Sequence, residues 1–74
     1  MKLSKTQLFT LQSVAYADKF GRDAYLEVGC YKPHNTNTIK SLERKGLIKI
    51  IERSNITGSF YVRLTNEGSK YAAH

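Results

Sequence analysis

Leu8, Leu11, Val14 and Ala15 recur at the spacing that places apolar side chains on one face of a helix, with Phe9 to the side. Ser4-Lys5-Thr6-Gln7, just upstream, has the form of a capping box: the Ser4 hydroxyl accepts from a first-turn N–H and Gln7 reaches back. Gly21, after Phe20, suits the left-handed cap that ends such a helix. The stretch Arg22–Gly29 supports two readings. Ala24, Leu26 and Val28 alternate as in a short strand, yet Asp23 is a good N-cap and Gly29 a good stop. A short second helix is the preferred expectation. Residues 33–45 predict a third: Pro33 suits a first turn, Asn35 or Thr36 caps it, and Ile39 and Leu42 mark its inner stripe. Lys45 favours the negative helix end, and Gly46 stops the helix with Leu47 as the apolar closing residue.

The period then changes. Leu47–Arg53 is rich in β-branched residues, and Ser59–Leu64 alternates with Phe60, Val62 and Leu64 on one face. Ser54–Gly58 between them is turn-rich, so residues 48–64 read as a β-hairpin. Thr65 caps a last short helix over 66–73. The expected fold is α+β, mainly α, in a single domain, 1–74. It has a three-helix core, a C-terminal hairpin and a short final helix, the layout of a winged helix-turn-helix with the hairpin as its wing.

Charge sharpens this picture. Twelve Lys and Arg against six Asp and Glu give +6 at pH 7, which favours a polyanionic partner. The lone Cys30 makes no internal disulfide, and no apolar run or leader-like segment stands out. A reducing, cytoplasmic setting without membrane contact is the expectation.

Stepping about 100° per residue from Ile39 leaves Leu42 inside and turns Asn37, Ser41 and Arg44 outward, with Lys40 at the flank and Glu43 near the inner side. Arg bonds guanine edges in two places and Asn does so with adenine, while Ser and Thr reach bases or phosphates. Thr36 lies at the helix start, the end that commonly enters the major groove. At the hairpin tip, Arg53 and Asn55 suit phosphate or minor-groove contact. Lys49 and Arg63 extend this basic surface unless strand alternation turns them away. Ile56 at the same tip either folds back on the core or marks a partner contact. The tyrosines, Tyr31 included, are expected to pack at edges, with a phosphate contact through the Tyr31 hydroxyl as the alternative. No aromatic pair on adjacent strands is expected to form a base-stacking platform.

Ser41-Leu42-Glu43-Arg44-Lys45-Gly46-Leu47-Ile48 resembles the LEEKGLI end of the recognition helix in MarR-like winged-helix regulators. Val62–Gly68 resembles their LTEEG segment, and Leu3-Ser4 through Gln7-Leu8 the LTxxQ opening of their first helix. Gly29 falls where their helix-turn-helix carries a turn glycine. The resemblance implies DNA contact at Thr36, Asn37 and Ser41, with Arg53 loosely matching the wing arginine. The family's long flanking helices have no counterpart, so a compact regulator of the phage and plasmid kind is implied.

Catalytic and metal chemistry find little material. Cys30 and His34 stand four apart, but two ligands make no zinc site, and a Cys buried at the motif turn is the expected state. No phosphate-binding glycine loop appears. The expectation is a non-enzyme without cofactor that binds double-stranded DNA, as a homodimer or beside a second protein. The alternatives are a protein-binding winged-helix module, such as a phage-type inhibitor or adaptor of a host complex, and a double-stranded RNA or tRNA binder.

Overall fold

The computed structural model describes residues 2–72. Helix α1 spans Lys5–Asp18, strand β1 Ala24–Leu26, helix α2 Thr36–Arg44, β2 Ile48–Arg53, β3 Phe60–Leu64 and α3 Asn66–Ala72. The strands form one antiparallel sheet in the order β1-β3-β2, giving an α+β fold of three helices and three strands.

α1 begins where the capping box placed it. Ser4 Oγ accepts from the Gln7 N–H at 3.1 Å, and Gln7 Oε1 accepts from the Ser4 N–H at 2.9 Å. It ends with Gly21 at φ 69°, whose N–H bonds the Asp18 carbonyl.

The expected helix after Arg22 is absent. Ala24–Leu26 pairs with Phe60–Val62 as a strand instead. A helix of five or six residues gains few internal bonds for its nucleation cost. A strand here fills the open edge of β3, buries Ala24 and Leu26, and leaves Tyr25 outside. Gly29, at φ 135°, is far from the left-handed helical value and caps nothing. An irregular loop carries the chain from β1 to α2, with a single bridge between Val28 and His34.

α2 starts at Asn35, whose Oδ1 accepts from the Thr38 N–H at 2.8 Å. Pro33 therefore lies outside the helix, which is shorter than the predicted 33–45. Its end follows the prediction: Gly46 sits at φ 77°, and Leu47 donates to the Leu42 carbonyl at 3.1 Å while its side chain is buried. The hairpin follows as expected, with a bulge between Ile50 and Glu52. Thr65 caps α3 through its Oγ1, which accepts from the Gly68 N–H at 3.0 Å; Ala73, the predicted helix end, lies outside the described residues.

Leu11 and Val14 of α1, Ile39 and Leu42 of α2, and Leu26, Ile48, Phe60 and Val62 of the sheet make the core. Two helices on a sheet thus replace the expected three-helix core. Every described buried side-chain N or O atom has a hydrogen-bond partner. No described helix is long and apolar enough to cross a membrane.

Candidate nucleic-acid interface

The exposed side of α2 is set by three buried residues, Thr38, Ile39 and Leu42. With Thr38 included, the centre of the inward arc moves about 50° from Ile39 toward Thr38 and Leu42. Asn37, Lys40 and Arg44 then lie about 150–170° from that centre, and all three are exposed. Ser41 and Thr36 fall about 110° away, on opposite flanks, and are half-buried.

Ser41 is thereby withdrawn from the outward set. Its Oγ donates to the Thr38 carbonyl at 2.8 Å and accepts from Gln7 Nε2 at 3.0 Å. Counting from Ile39 alone misplaced it, because a buried Thr38 has no apolar signal. Gln7 is the residue that reasoning from sequence left incomplete. It closes the α1 cap with Oε1 and ties α1 to α2 with Nε2. Glu43 is also misplaced, being exposed on the β2 side, where its Oε2 accepts from the Ile50 N–H at 3.4 Å.

Ion pairs distribute the charge. Lys32–Glu27, Arg63–Asp23 and Lys70–Glu67 pair at 2.9–3.2 Å, none of them on α2. Among the described residues Lys40, Arg44 and the C-cap Lys45 make no salt bridge. Such surface pairs add little stability, but they neutralise field locally. Part of the unpaired positive charge therefore lies on α2 and its cap, beside Glu43; Lys2, Lys5, Lys19, Arg22, Lys49 and Arg53 also form no salt bridge among the described residues, whereas Arg63 is paired with Asp23.

On the hairpin, the Arg53 guanidinium lies over the Phe60 ring at 5.2 Å, shielding this core residue from water. Asn55 is exposed at the tip. The tip is closed by the Ser54 N–H donating to the Ser59 carbonyl at 2.8 Å and the Gly58 N–H to the Ser54 carbonyl at 2.9 Å.

Three expectations about the loop and sheet fail. Cys30 is exposed, because the segment expected to bury it is a surface loop. Tyr31 packs on nothing: it is fully exposed at φ 63°, a conformation that non-glycine residues rarely take. Tyr25 and Tyr61 do pair across adjacent strands, with ring centroids 4.8 Å apart on the outer sheet face. That pair was hidden while Tyr25 was read as helical.

His34 is buried beside α2. Its Nδ1 lies 3.1 Å from Thr10 Oγ1 and its ring stacks on Phe9 at 5.4 Å. Burial pushes its pKa below 6.5, against a weaker opposing pull from Glu27. The unfolded chain therefore binds a proton that the folded chain resists. Stability is full above the unfolded value, declines as pH falls through about 6.5, and levels off below the folded value. Urea midpoints at about pH 7.5 and 5.5 are expected to show this loss in the native chain and a smaller one in His34→Gln.

Fold and site together define a small basic α+β domain that presents a cationic helix beside a β-hairpin. Comparison of the chain with family models, curated proteins and solved structures gives no match. No cluster of metal-ligating side chains occurs among the described residues.

Proposed function

We propose that this protein binds double-stranded DNA in the manner of a winged helix, as a compact transcriptional regulator. α2 enters the major groove and the β2–β3 hairpin lies along the backbone or minor groove. One observation carries the reading. Asn37, Lys40 and Arg44 share the exposed arc of α2, and neither cation has an acidic partner among the described residues. Lys40 and Arg44 stand four apart, a like-charge pair that destabilises a helix by about 0.2–0.5 kcal/mol. A phosphate backbone relieves that repulsion. The resemblance to MarR-like regulators supports the same assignment, with a loop where those proteins carry the first motif helix.

Asn37 and Arg44 are the base readers, and Lys40 and Arg53 hold phosphates. Thr36, half-buried at the first turn, is placed for a backbone contact. Ser41 serves through its bond to Gln7 by fixing the angle of α2 on α1. A module this small buries about 600–1,000 Å² on DNA, so tight binding calls for a second copy or another protein.

Selection from random duplexes near physiological salt tests the reading. An enriched site is expected, palindromic if two copies bind. On it, Asn37→Ala or Arg44→Ala is expected to cost about 1–3 kcal/mol, with a smaller loss on unrelated duplex. Equal losses on both would remove the base-reading role. The second reading, a protein-binding module, draws on the exposed Tyr25–Tyr61 pair, whose neighbours Asp23 and Arg63 neutralise one another.

A further inference from the structure

The hairpin tip carries an aliphatic side chain where turns ordinarily carry Gly, Asn, Asp or Ser. Ile56 is 96% exposed. It does not fold back on the core. The loop beneath it is braced on several sides. The Thr57 N–H donates to Ser54 Oγ at 3.3 Å, and Thr57 Oγ1 accepts from the Ser59 N–H at 3.2 Å. Thr57 Oγ1 also lies 3.2 Å from Tyr25 Oη, which ties the tip to the far strand of the sheet. At the base, Arg53 stacks on Phe60. Next to Ile56 stands exposed Asn55, whose amide can donate to the acceptor atoms lining a minor groove.

From this arrangement we infer that Ile56 is a wedge that enters the minor groove and partly unstacks a base step, bending the duplex. The inference rests on the duplex-binding reading above and adds a deformation to it. The chemistry suits the task. Proteins that kink DNA from the minor groove insert Ile, Leu, Phe, Met or Pro between base steps, with polar and cationic side chains beside the wedge. A β-branched side chain is stiff at its first torsion, so little freedom is lost on insertion. The braced tip resists recoil. Unstacking is easiest at flexible pyrimidine–purine steps and hardest in stiff A-tracts, so the wedge selects sequences by deformability at positions that Asn37 and Arg44 never touch.

Two duplexes of equal length separate the terms: one alternating A and T, the other an A-tract with the same GC clamps. Both present the same minor-groove acceptors and differ in stiffness. With dyes at the two ends and at about 50 mM salt, the native chain is expected to bring the ends of the alternating duplex closer and to bind it about tenfold more tightly. Ile56→Ser is expected to bind both alike without moving the ends, and Ile56→Leu to restore bending. Since the native side chain is exposed, the urea midpoint of Ile56→Ser should match the native one, which sets misfolding aside. Binding of both duplexes by the native chain without bending, or bending unchanged in Ile56→Ser, overturns the wedge and leaves duplex binding standing. In the second case Ile56 is left as a contact for a protein. Failure of the native chain to bind either duplex overturns the duplex reading itself.

Discussion

Gly68→Ala is expected to destabilise the fold by about 3 kcal/mol and to lower the melting temperature by roughly 15 °C. Two opposing effects decide this. Alanine is the better helix former, by up to about 1 kcal/mol. A methyl group at position 68, however, would overlap the Leu47 carbonyl and stand 2.9 Å from Leu64 Cδ1. The overlap is with backbone, which cannot turn aside as a side chain would, so α3 has to move. The same corner holds more than one contact. Thr65 Oγ1 donates to the Gly46 carbonyl at 2.6 Å and caps α3, while the Thr65 N–H donates to the Leu47 carbonyl at 3.2 Å. Displacing α3 therefore disturbs the turn that links α2 to the hairpin. For a chain of this length the whole stability is about 4–11 kcal/mol, so the loss is a large share of it. Urea titration measures it, with Ser69→Ala at an exposed position of α3 expected to change stability by only a few tenths. A Gly68→Ala midpoint at or above the native one would mean that α3 does not lie on Leu47.

Why some of this was legible in the sequence and some not follows from range. Ser4 and Gln7, Asn35, and Gly46 with Leu47 act within a few residues of themselves, so their roles as caps stood in the sequence. The hairpin was legible because Phe60, Val62 and Leu64 alternate. β1 was not, since Ala24–Leu26 becomes a strand only by pairing with Phe60–Val62, which lies far along the chain. Its three residues fit a helix or a strand equally well until that partner is known. The error then spread. With a helix assumed, Cys30 went to the interior, and the Tyr25–Tyr61 pair could not be foreseen. Within the candidate interface, Asn37 and Arg44 were legible because helical geometry alone turns them outward, while Lys40, expected at the flank, moves fully outward once buried Thr38 shifts the inward arc. Ser41 was not, because its position depends on where α1 crosses. His34 lacked a signal too: its burial depends on Thr10 and Phe9 meeting it from α1.

Reversing Lys40 and Arg44 together to Glu is expected to weaken binding to every duplex by at least about 100-fold near 100 mM salt, and to leave the fold within about 0.5 kcal/mol of native. Removing the Lys40 phosphate contact should lower the slope of log affinity against log salt by about 0.9 on B-form DNA, and Arg44→Glu adds repulsion on any sequence besides removing a base contact, so the loss should be largest at low salt. Stability is spared because both side chains are exposed and neither makes a salt bridge among the described residues. Total charge alone offers a rival account, since the chain carries +6 and any reversal weakens attraction to a polyanion. Lys19→Glu with Lys70→Glu is the control. Both double reversals take the formal charge from +6 to +2, but the control acts at the α1 C-cap and on α3, away from the exposed arc of α2. Binding by the control within a few-fold of native, beside collapse of the α2 variant, would place the contact on α2. An equal loss in the two would reduce the interaction to long-range attraction without a defined face. Unchanged binding in the α2 variant would take the helix out of the interface altogether.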